Sequence, residues 1–413
     1  MRIAIHTLGT RGDMQPYVAL ALGLRARGHE VQIAAPARFA DFATGRGLGF
    51  APLPAEFLEM MNTPEGKAAI GGGEGFSAGF KLLKQARPLM RSLLDLEWAA
   101  AKSFSPQVIV GHPKSLAAPH IGEALGIPAV LASPLPGFTP TSAFPSPLLP
   151  FADLGPLNRP SHALAIRGGE MLFGRALAEW RTGVLGVAAK PKRRLEPAGV
   201  LYAYSPQVVP VPPDWTSNVL VSGYWFLDDP DWQMPASLRA FISAGPPPVY
   251  VGFGSMPGLD PAALTEAVVG GVARAGKRAI LATGGGALDG HAAPHVHMID
   301  GAPHDRLFGL VSATVHHGGA GTTGASLRAG VPTTIMPFFG DQPFWARRVA
   351  TLGVGPAPLD RRRLSAESVA TALVAMDDPQ MRARAKAIGT GIREEDGVGA
   401  ACDFLEARVR PRR

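Results

Sequence analysis

The strongest constraint on this chain is a pattern that runs through it twice. Short apolar stretches bounded by glycine or proline alternate with longer segments of helical periodicity. In the first half, Arg2–Thr7, Glu30–Ala35, Val108–Gly111 and Ala129–Ala132 read as buried strands. Met14–Arg27 reads as the helix between the first two, with Pro16 near its start and Gly28 at its stop. The second half repeats the alternation, with strands expected at Val249–Gly254, Arg278–Ala282, His295–Ile299, Thr314–His317 and Thr333–Met336. Strands separated by helices build parallel βαβ units. A chain of 413 residues is also too long for one core of ordinary size. The expected fold is therefore α/β, with two Rossmann-like domains over residues 1–212 and 236–385 joined by a proline-rich linker over 213–235. The closing stretch, Met381–Val409, reads as charged helix.

Composition narrows the partners. The formal charge is +7 and the isoelectric point about 9.7. The positive residues are scattered apart from Lys190–Arg194, Arg361–Arg363 and the Arg408–Arg413 tail, and no basic stretch alternates with aromatics as a nucleic-acid platform would. Nucleic acid is thus not an expected partner, whereas a weak attraction to anionic lipid headgroups fits the charge. The single cysteine, Cys402, leaves no internal disulfide and no cysteine cluster for a metal. No run of about 18 apolar residues offers a membrane span. The sequence opens directly on its first strand, so the expectation is a soluble, cytoplasmic protein without a leader.

The richest local signal is Thr314-Val315-His316-His317-Gly318-Gly319-Ala320-Gly321-Thr322-Thr323. A strand ends, small residues turn, and a helix begins. Amides at a helix start lack intrahelical acceptors and carry the positive end of the dipole. Glycine lets a diphosphate approach them closely. Thr322 and Thr323 offer hydroxyls, and His317 offers an imidazole N–H that needs no metal. Beyond the next strand comes Phe338-Phe339-Gly340-Asp341-Gln342-Pro343. Ligands of open parallel sheets bind beyond the carboxyl ends of strands, which places Asp341 and Gln342 beside the phosphate turn with groups suited to sugar hydroxyls. The bland alternative for Asp341 is a helix N-cap. Gly252-Phe253-Gly254-Ser255 ends the first strand of the second half and faces the same crevice.

In the first half, Gly9-Thr10-Arg11-Gly12-Asp13-Met14-Gln15-Pro16 separates the first strand from the first helix. It is not G-x-G-x-x-G, so a nicotinamide fingerprint is absent. Asp13 reads as an N-cap or as a general base toward an acceptor hydroxyl. His112 reads as an exposed loop histidine, the commoner case, or as one that approaches the site. Asp229-Pro230-Asp231 has the D-x-D spacing of metal–nucleotide sites but lies in the linker, where it reads as a solvated turn; metal dependence is not predicted.

Together Gly9–Pro16, Gly252–Ser255, Ala302–Asp305, His316–Thr323 and Phe338–Pro343 resemble the GT-B fold glycosyltransferases of family 1. The resemblance is closest to the bacterial and fungal sterol glucosyltransferases and to the antibiotic (glycopeptide and macrolide) glycosyltransferases. The motifs fall in family order from Ile3 to about Val349. The resemblance implies two parallel sheets facing an interdomain cleft, the N-terminal domain taking the acceptor and the C-terminal domain a nucleotide sugar. It implies inverting transfer, with Asp13 as the base and His317 on the donor diphosphate. Gly319, Ala320, Gly321 and Thr322 match the phosphate cradle, Asp341 and Gln342 the sugar grip, and Ala302 and His304 the residues beside the nucleobase. Thr10, Gly12, Gly254 and Ser255 complete the expected donor site. The last residues, 386–413, are expected to cross back onto the first domain. No tryptophan stands at Asp300–His304, where plant relatives stack one on uracil.

Acceptor identity is expected to reside in the apolar stretches Phe57–Leu94 and Pro134–Phe151, with Phe76, Phe80, Met90, Pro136, Phe138 and Phe144 as contact candidates. Methionine and phenylalanine suit a flat lipophilic alcohol such as a sterol, triterpenoid or polyketide. No cofactor is expected beyond the co-substrate, UDP-glucose. Two alternatives stay open: a dTDP-deoxysugar transferase acting on an antibiotic, and a nucleotide-sugar-binding module without turnover.

Overall fold

The computed structural model describes residues 1–56, 76–254, 256, 260–290 and 293–409; the side chains of 76–87, 164, 165, 169 and 409 are outside that description. Two all-parallel sheets organise it. The first contains β1 (Arg2–His6), β2 (Glu30–Pro36), β3 (Gly49–Leu53), β4 (Val108–Gly111), β5 (Ala129–Ser133), β6 (Gly199–Tyr202) and β7 (Val219–Val221), in the order β3-β2-β1-β4-β5-β6-β7. The second contains β8 (Val249–Gly252), β9 (Ala279–Ala282), β10 (Val296–Ile299), β11 (Ala313–His316) and β12 (Thr333–Ile335), in the order β10-β9-β8-β11-β12.

The continuous apolar character of the strands follows from helices covering both faces. Ile3 and Ile5 of β1 enter one buried cluster and Ala4 enters another, as side chains alternate across the sheet. Val249 and Val251 of β8 part from Tyr250 in the same way. Each sheet reverses its winding once, between β1 and β4 and between β8 and β11. A crevice opens at such a reversal, because the connections leave toward opposite faces.

The observed elements depart from expectation in four places. Strands β3, β6 and β7 lack a clear sequence signal, being short and glycine- or proline-flanked. The segment 213–235 is not all connecting chain, since Val219–Val221 pairs with β6 and edges the first sheet. The first helix runs Arg11–Ala26, starting three residues earlier than its apolar periodicity, because Thr10 rather than Asp13 occupies the N-cap. The closing stretch is two helices, Pro379–Glu394 and Gly397–Val409, broken where Glu395 turns extended.

The helix Gly397–Val409 lies on the first sheet's helical layer. Ala401, Cys402 and Leu405 are fully buried with Leu20, Leu24 and Val31. Arg27 pairs with Asp403 at 2.5 Å and His29 with Glu406 at 2.9 Å. A second contact between the halves comes from the helix Gln342–Thr351. Its Arg348 donates to the Val208 carbonyl at 2.7 Å, and Trp345 meets the Tyr204 ring edge-on at 6.2 Å. No described helix is long and apolar enough to cross a membrane.

Candidate active site

A cleft of about 2150 Å³ opens between the carboxyl ends of the two sheets. On its second-sheet wall, β11 delivers His316 and His317 to a turn. Gly318 takes φ +92, a conformation that glycine alone enters freely, and the helix Ala320–Ala329 starts at once with Gly319 as N-cap. The buried His316 holds the turn from beneath. Its Nδ1 accepts the Gly318 N–H at 3.0 Å, and its Nε2 lies 3.0 Å from Thr333 Oγ. Burial, with His317 and His304 nearby, keeps His316 neutral.

His317 faces the cleft. Burial lowers its pKa to about 4, so it is neutral at physiological pH, and its Nδ1 has no protein partner although shielded from solvent. Gly319, Ala320, Gly321 and Thr322 line the cleft beside it, with the unpaired amides of the helix start. Thr323 does not take part: it is fully buried and absent from the lining, since the next helical position turns it inward. Gly254, Ala302 and His304 line the same wall. His304 stacks on Phe308 at 4.3 Å, and burial, His317 and Arg11 lower its pKa to about 4.

Asp341 and Gln342 also line the cleft. Asp341 sits at the N-cap of its helix but makes no side-chain capping bond; its Oδ2 accepts the Trp345 indole N–H at 2.8 Å. The capping alternative is thereby set aside. Burial raises its pKa, against the indole bond. Gln342 differs from expectation in part. Its amide oxygen is engaged by the Phe338 and Phe339 N–H groups at 2.7 and 3.3 Å, which leaves its amide nitrogen, 3.3 Å from Met256 Sδ, as the group turned to the cleft wall.

The first-sheet wall centres on Asp13, with Thr10 and Gly12 beside it. Gly9 has φ +143, and a Cβ there would lie 2.0 Å from Asp13 Oδ2; the carboxylate folds back over a bare backbone. Thr10 N–H donates to Oδ2 at 2.8 Å. His112 is not an exposed loop histidine. It is 4 % exposed and edge-on to Tyr17, with Nε2 3.4 Å from Asp13 Oδ1, because β4 lies next to β1 and its end turns back under the first helix. Lys114, two residues on, places Nζ 2.8 Å from Asp13 Oδ1. The turn is anchored by Ser115, whose hydroxyl donates to the fully buried Glu97; Glu97 also bonds His6 Nδ1 at 2.8 Å. Burial opposes charge on Asp13, but Lys114 and His112 outweigh it and hold the carboxyl far below its usual range. Burial lowers the His112 pKa, against the pull of Asp13.

The acceptor candidates divide. Phe138 lines the cleft together with Pro134, Leu135 and Leu148. Met90 does not: it is 2 % exposed and packs with Leu93, Leu94 and Trp180, because that face of its helix covers the first sheet. Pro136 is buried beneath the loop, and Phe144 packs between His162 and Phe344, bracing the loop against the second domain. Ser255 and the residues 57–75 lie outside the described residues, as do the side chains of Phe76 and Phe80.

Among the lining residues, Lys114 and Trp232 carry no assignment from the sequence, and His112 carries only a weak one. His112 and Lys114 follow a strand end, and the strand-end rule finds them once β4 is set beside β1. Nothing in the sequence marks Trp232, which the 213–235 segment carries to the wall near Tyr250 and Ala302. Asp229 of the D-x-D also lines the cleft, its N–H bonded to Asp305, while the neighbouring Asp228 pairs with Arg328. Among the described residues no group of three His, Cys, Asp or Glu side chains is placed to hold a metal.

A glycine turn at a helix start on one wall and a carboxylate on the other fit a group-transfer protein. The comparisons agree with that class. A model of the glycosyltransferase family 28 N-terminal domain matches residues 3–145, and one of the erythromycin biosynthesis protein CIII-like C-terminal domain matches residues 268–395. The chain thus pairs these two domain families in the GT-B fold. It is 39 % identical over 432 residues to a sterol 3-beta-glucosyltransferase of Emericella nidulans, which covers 98 % of this chain and 30 % of that one. It is 34 % identical over 420 residues to the sterol 3-beta-glucosyltransferase UGT80A2 of Arabidopsis thaliana, covering 97 % of this chain and 64 % of that one. The chain thus spans about a third of the fungal relative's length. The glycosyltransferase of kitacinnamycin shares the fold, at 21 % identity and a TM-score of 0.73 over 99 % of both chains.

Proposed function

We propose that this protein transfers a hexosyl group, glucose in the first instance, from a UDP-sugar to a hydroxyl of a lipophilic acceptor such as a sterol, triterpenoid or polyketide, with inversion and without a metal. The observation that carries the reading is the placement of Asp13 and the His317 turn on opposite walls of one cleft. The helix-start amides from Gly319 to Thr322 receive the diphosphate, and the neutral His317 donates an N–H to it. Asp341, with one oxygen held by Trp345, turns the other to a sugar hydroxyl. The acceptor oxygen bonds to the anomeric carbon, the bond to the diphosphate breaks with its electron pair on the leaving group, and the hydroxyl proton passes to Asp13. A single displacement of this kind inverts the centre.

The apolar wall of Pro134, Leu135, Phe138 and Leu148 supports a lipophilic acceptor, as does the similarity to sterol 3-beta-glucosyltransferases. The test is mass spectrometry of product after incubation with UDP-glucose and a panel of hydrophobic alcohols, with chelator and with dTDP-sugars as separate arms. Hexosylated product from UDP-glucose, undiminished by chelator, is expected. Product from dTDP-sugars alone would sink the donor assignment. UDP binding without product from any donor would reduce the protein to a binding module.

A further inference from the structure

The Asp13 carboxylate has no free edge. Oδ2 accepts the Thr10 N–H at 2.8 Å and the Thr10 hydroxyl at 3.2 Å. Oδ1 accepts Lys114 Nζ at 2.8 Å and faces His112 Nε2 at 3.4 Å. A base needs an open lone pair within hydrogen-bond reach of the proton that it takes. One of these partners must therefore leave before an acceptor hydroxyl can be activated.

Two of the four, the Thr10 amide and His112, are fixed, and the Thr10 hydroxyl contacts Oδ2 rather than Oδ1. The Thr10 groups belong to the helix start. His112 is buried, and its Nδ1 accepts the Lys114 N–H at 3.0 Å, which puts its own proton on Nε2, facing Asp13. Lys114 is different: its side chain is 48 % exposed, and among the described residues its ion pair with Asp13 is the one it makes. Exposed pairs of this kind exchange readily with solvent.

We infer that Lys114 is a removable cap on Asp13, covering Oδ1 until an entering acceptor hydroxyl pushes the ammonium aside. The inference rests on the reading of Asp13 as the base in hexosyl transfer. Two consequences follow from the geometry. A water molecule in the cleft meets a neutralised carboxylate, so a bound donor is protected from hydrolysis. That hydrolysis takes the same course as transfer: the water oxygen bonds to the anomeric carbon, the diphosphate leaves with the electron pair, and the proton goes to Asp13. Displacing Lys114 also restores basicity at the moment of transfer. The other titratable groups facing Asp13 do not substitute for the lysine. His112 is held neutral by burial, the Tyr17 phenol is committed to the Ala132 carbonyl at 2.5 Å, and Asp341 across the cleft carries the opposite sign.

The experiment uses the full chain with Lys114→Gln and Lys114→Arg, and Asp13→Asn in parallel. Release of free glucose from UDP-glucose is measured without acceptor, and kcat for transfer is measured against pH. Lys114→Gln is expected to raise acceptor-free hydrolysis about fivefold, the factor that an exposed ion pair commands, and to move the acid limb of the pH profile upward. Lys114→Arg is expected to keep hydrolysis low. Unchanged hydrolysis and an unmoved acid limb in Lys114→Gln would overturn the cap. A loss of UDP affinity would also overturn it, by making Lys114 a diphosphate ligand. Asp13→Asn separates the levels: if it retains transfer, the base reading itself fails, whatever Lys114 does.

Discussion

Two histidines stand at the carboxyl ends of central strands, one on each wall of the cleft, and they differ in their bonding. His112, after β4, uses both ring nitrogens: one accepts the Lys114 N–H and the other faces Asp13. His317, after β11, leaves Nδ1 without a protein partner. Burial lowers the pKa of both. A buried polar group without a partner is costly in a finished framework, so it marks where a ligand completes the bonding. Around Asp13 and His112 the first wall is therefore a closed charge cluster that must be opened, and the second, at His317, leaves a nitrogen to be filled.

Asp13→Asn breaks the first wall most severely. Transfer is expected to fall about 10³-fold, within the usual reach of general base catalysis, while UDP affinity measured by calorimetry stays the same. A comparable fall in UDP affinity would mean that the walls are not separable. His317→Ala breaks the second wall. UDP affinity should drop roughly 10- to 100-fold, the worth of a hydrogen bond to a charged group, with the melting temperature nearly unchanged because no protein bond at Nδ1 is lost. His112→Ala should invert that pattern, costing about 1–3 kcal/mol of stability and leaving UDP affinity alone. If both variants lose stability equally, the distinction collapses.

Acid reaches the imidazoles of both walls, His112 among them, before it reaches the Asp13 carboxyl. His304 and His317 titrate near 4 in the folded chain against an ordinary 6.5, so the unfolded chain binds more protons between those values. Stability is then complete above pH 6.5 and declines as pH falls toward 4. The depressed Asp13 acts in another window: its contribution is present above the ordinary 3.8 and is lost only below it. Melting temperature followed from pH 8 to pH 4 checks the first window. A flat curve there would show that the buried imidazoles, His304 and His317 among them, are not held neutral.

The legibility of the two walls in the sequence differs for the same reason. The phosphate turn is local. His317, Gly319 and Thr322 fall within six positions, and the geometry of a strand, a glycine turn and a helix start is dictated by neighbours along the chain. Asp341 and Gln342 follow the very next strand, so the strand-end rule reaches them too, although the occupied amide oxygen of Gln342 depends on how Phe338 and Phe339 fold back. On the other wall, Asp13, Glu97, His112 and Lys114 span a hundred positions. Asp13 was visible from its place at a helix start, but His112 was mistaken for an exposed side chain, because its burial is a property of the helix and strand packed over it. Met90 was misassigned similarly: an apolar residue on a long amphipathic helix faces core or cleft according to the rotation of that helix, which packing sets.

By itself, then, the sequence determined the class of fold, through apolar runs that alternate with helical periodicity, and the chemistry of the donor turn, through residues close enough to constrain one another. Only the tertiary structure decided that β4 lies against β1 and that Trp232 reaches the cleft from the connecting segment. Strand order and helix rotation are settled by contacts between distant residues, and it was those contacts that set Lys114 upon Asp13.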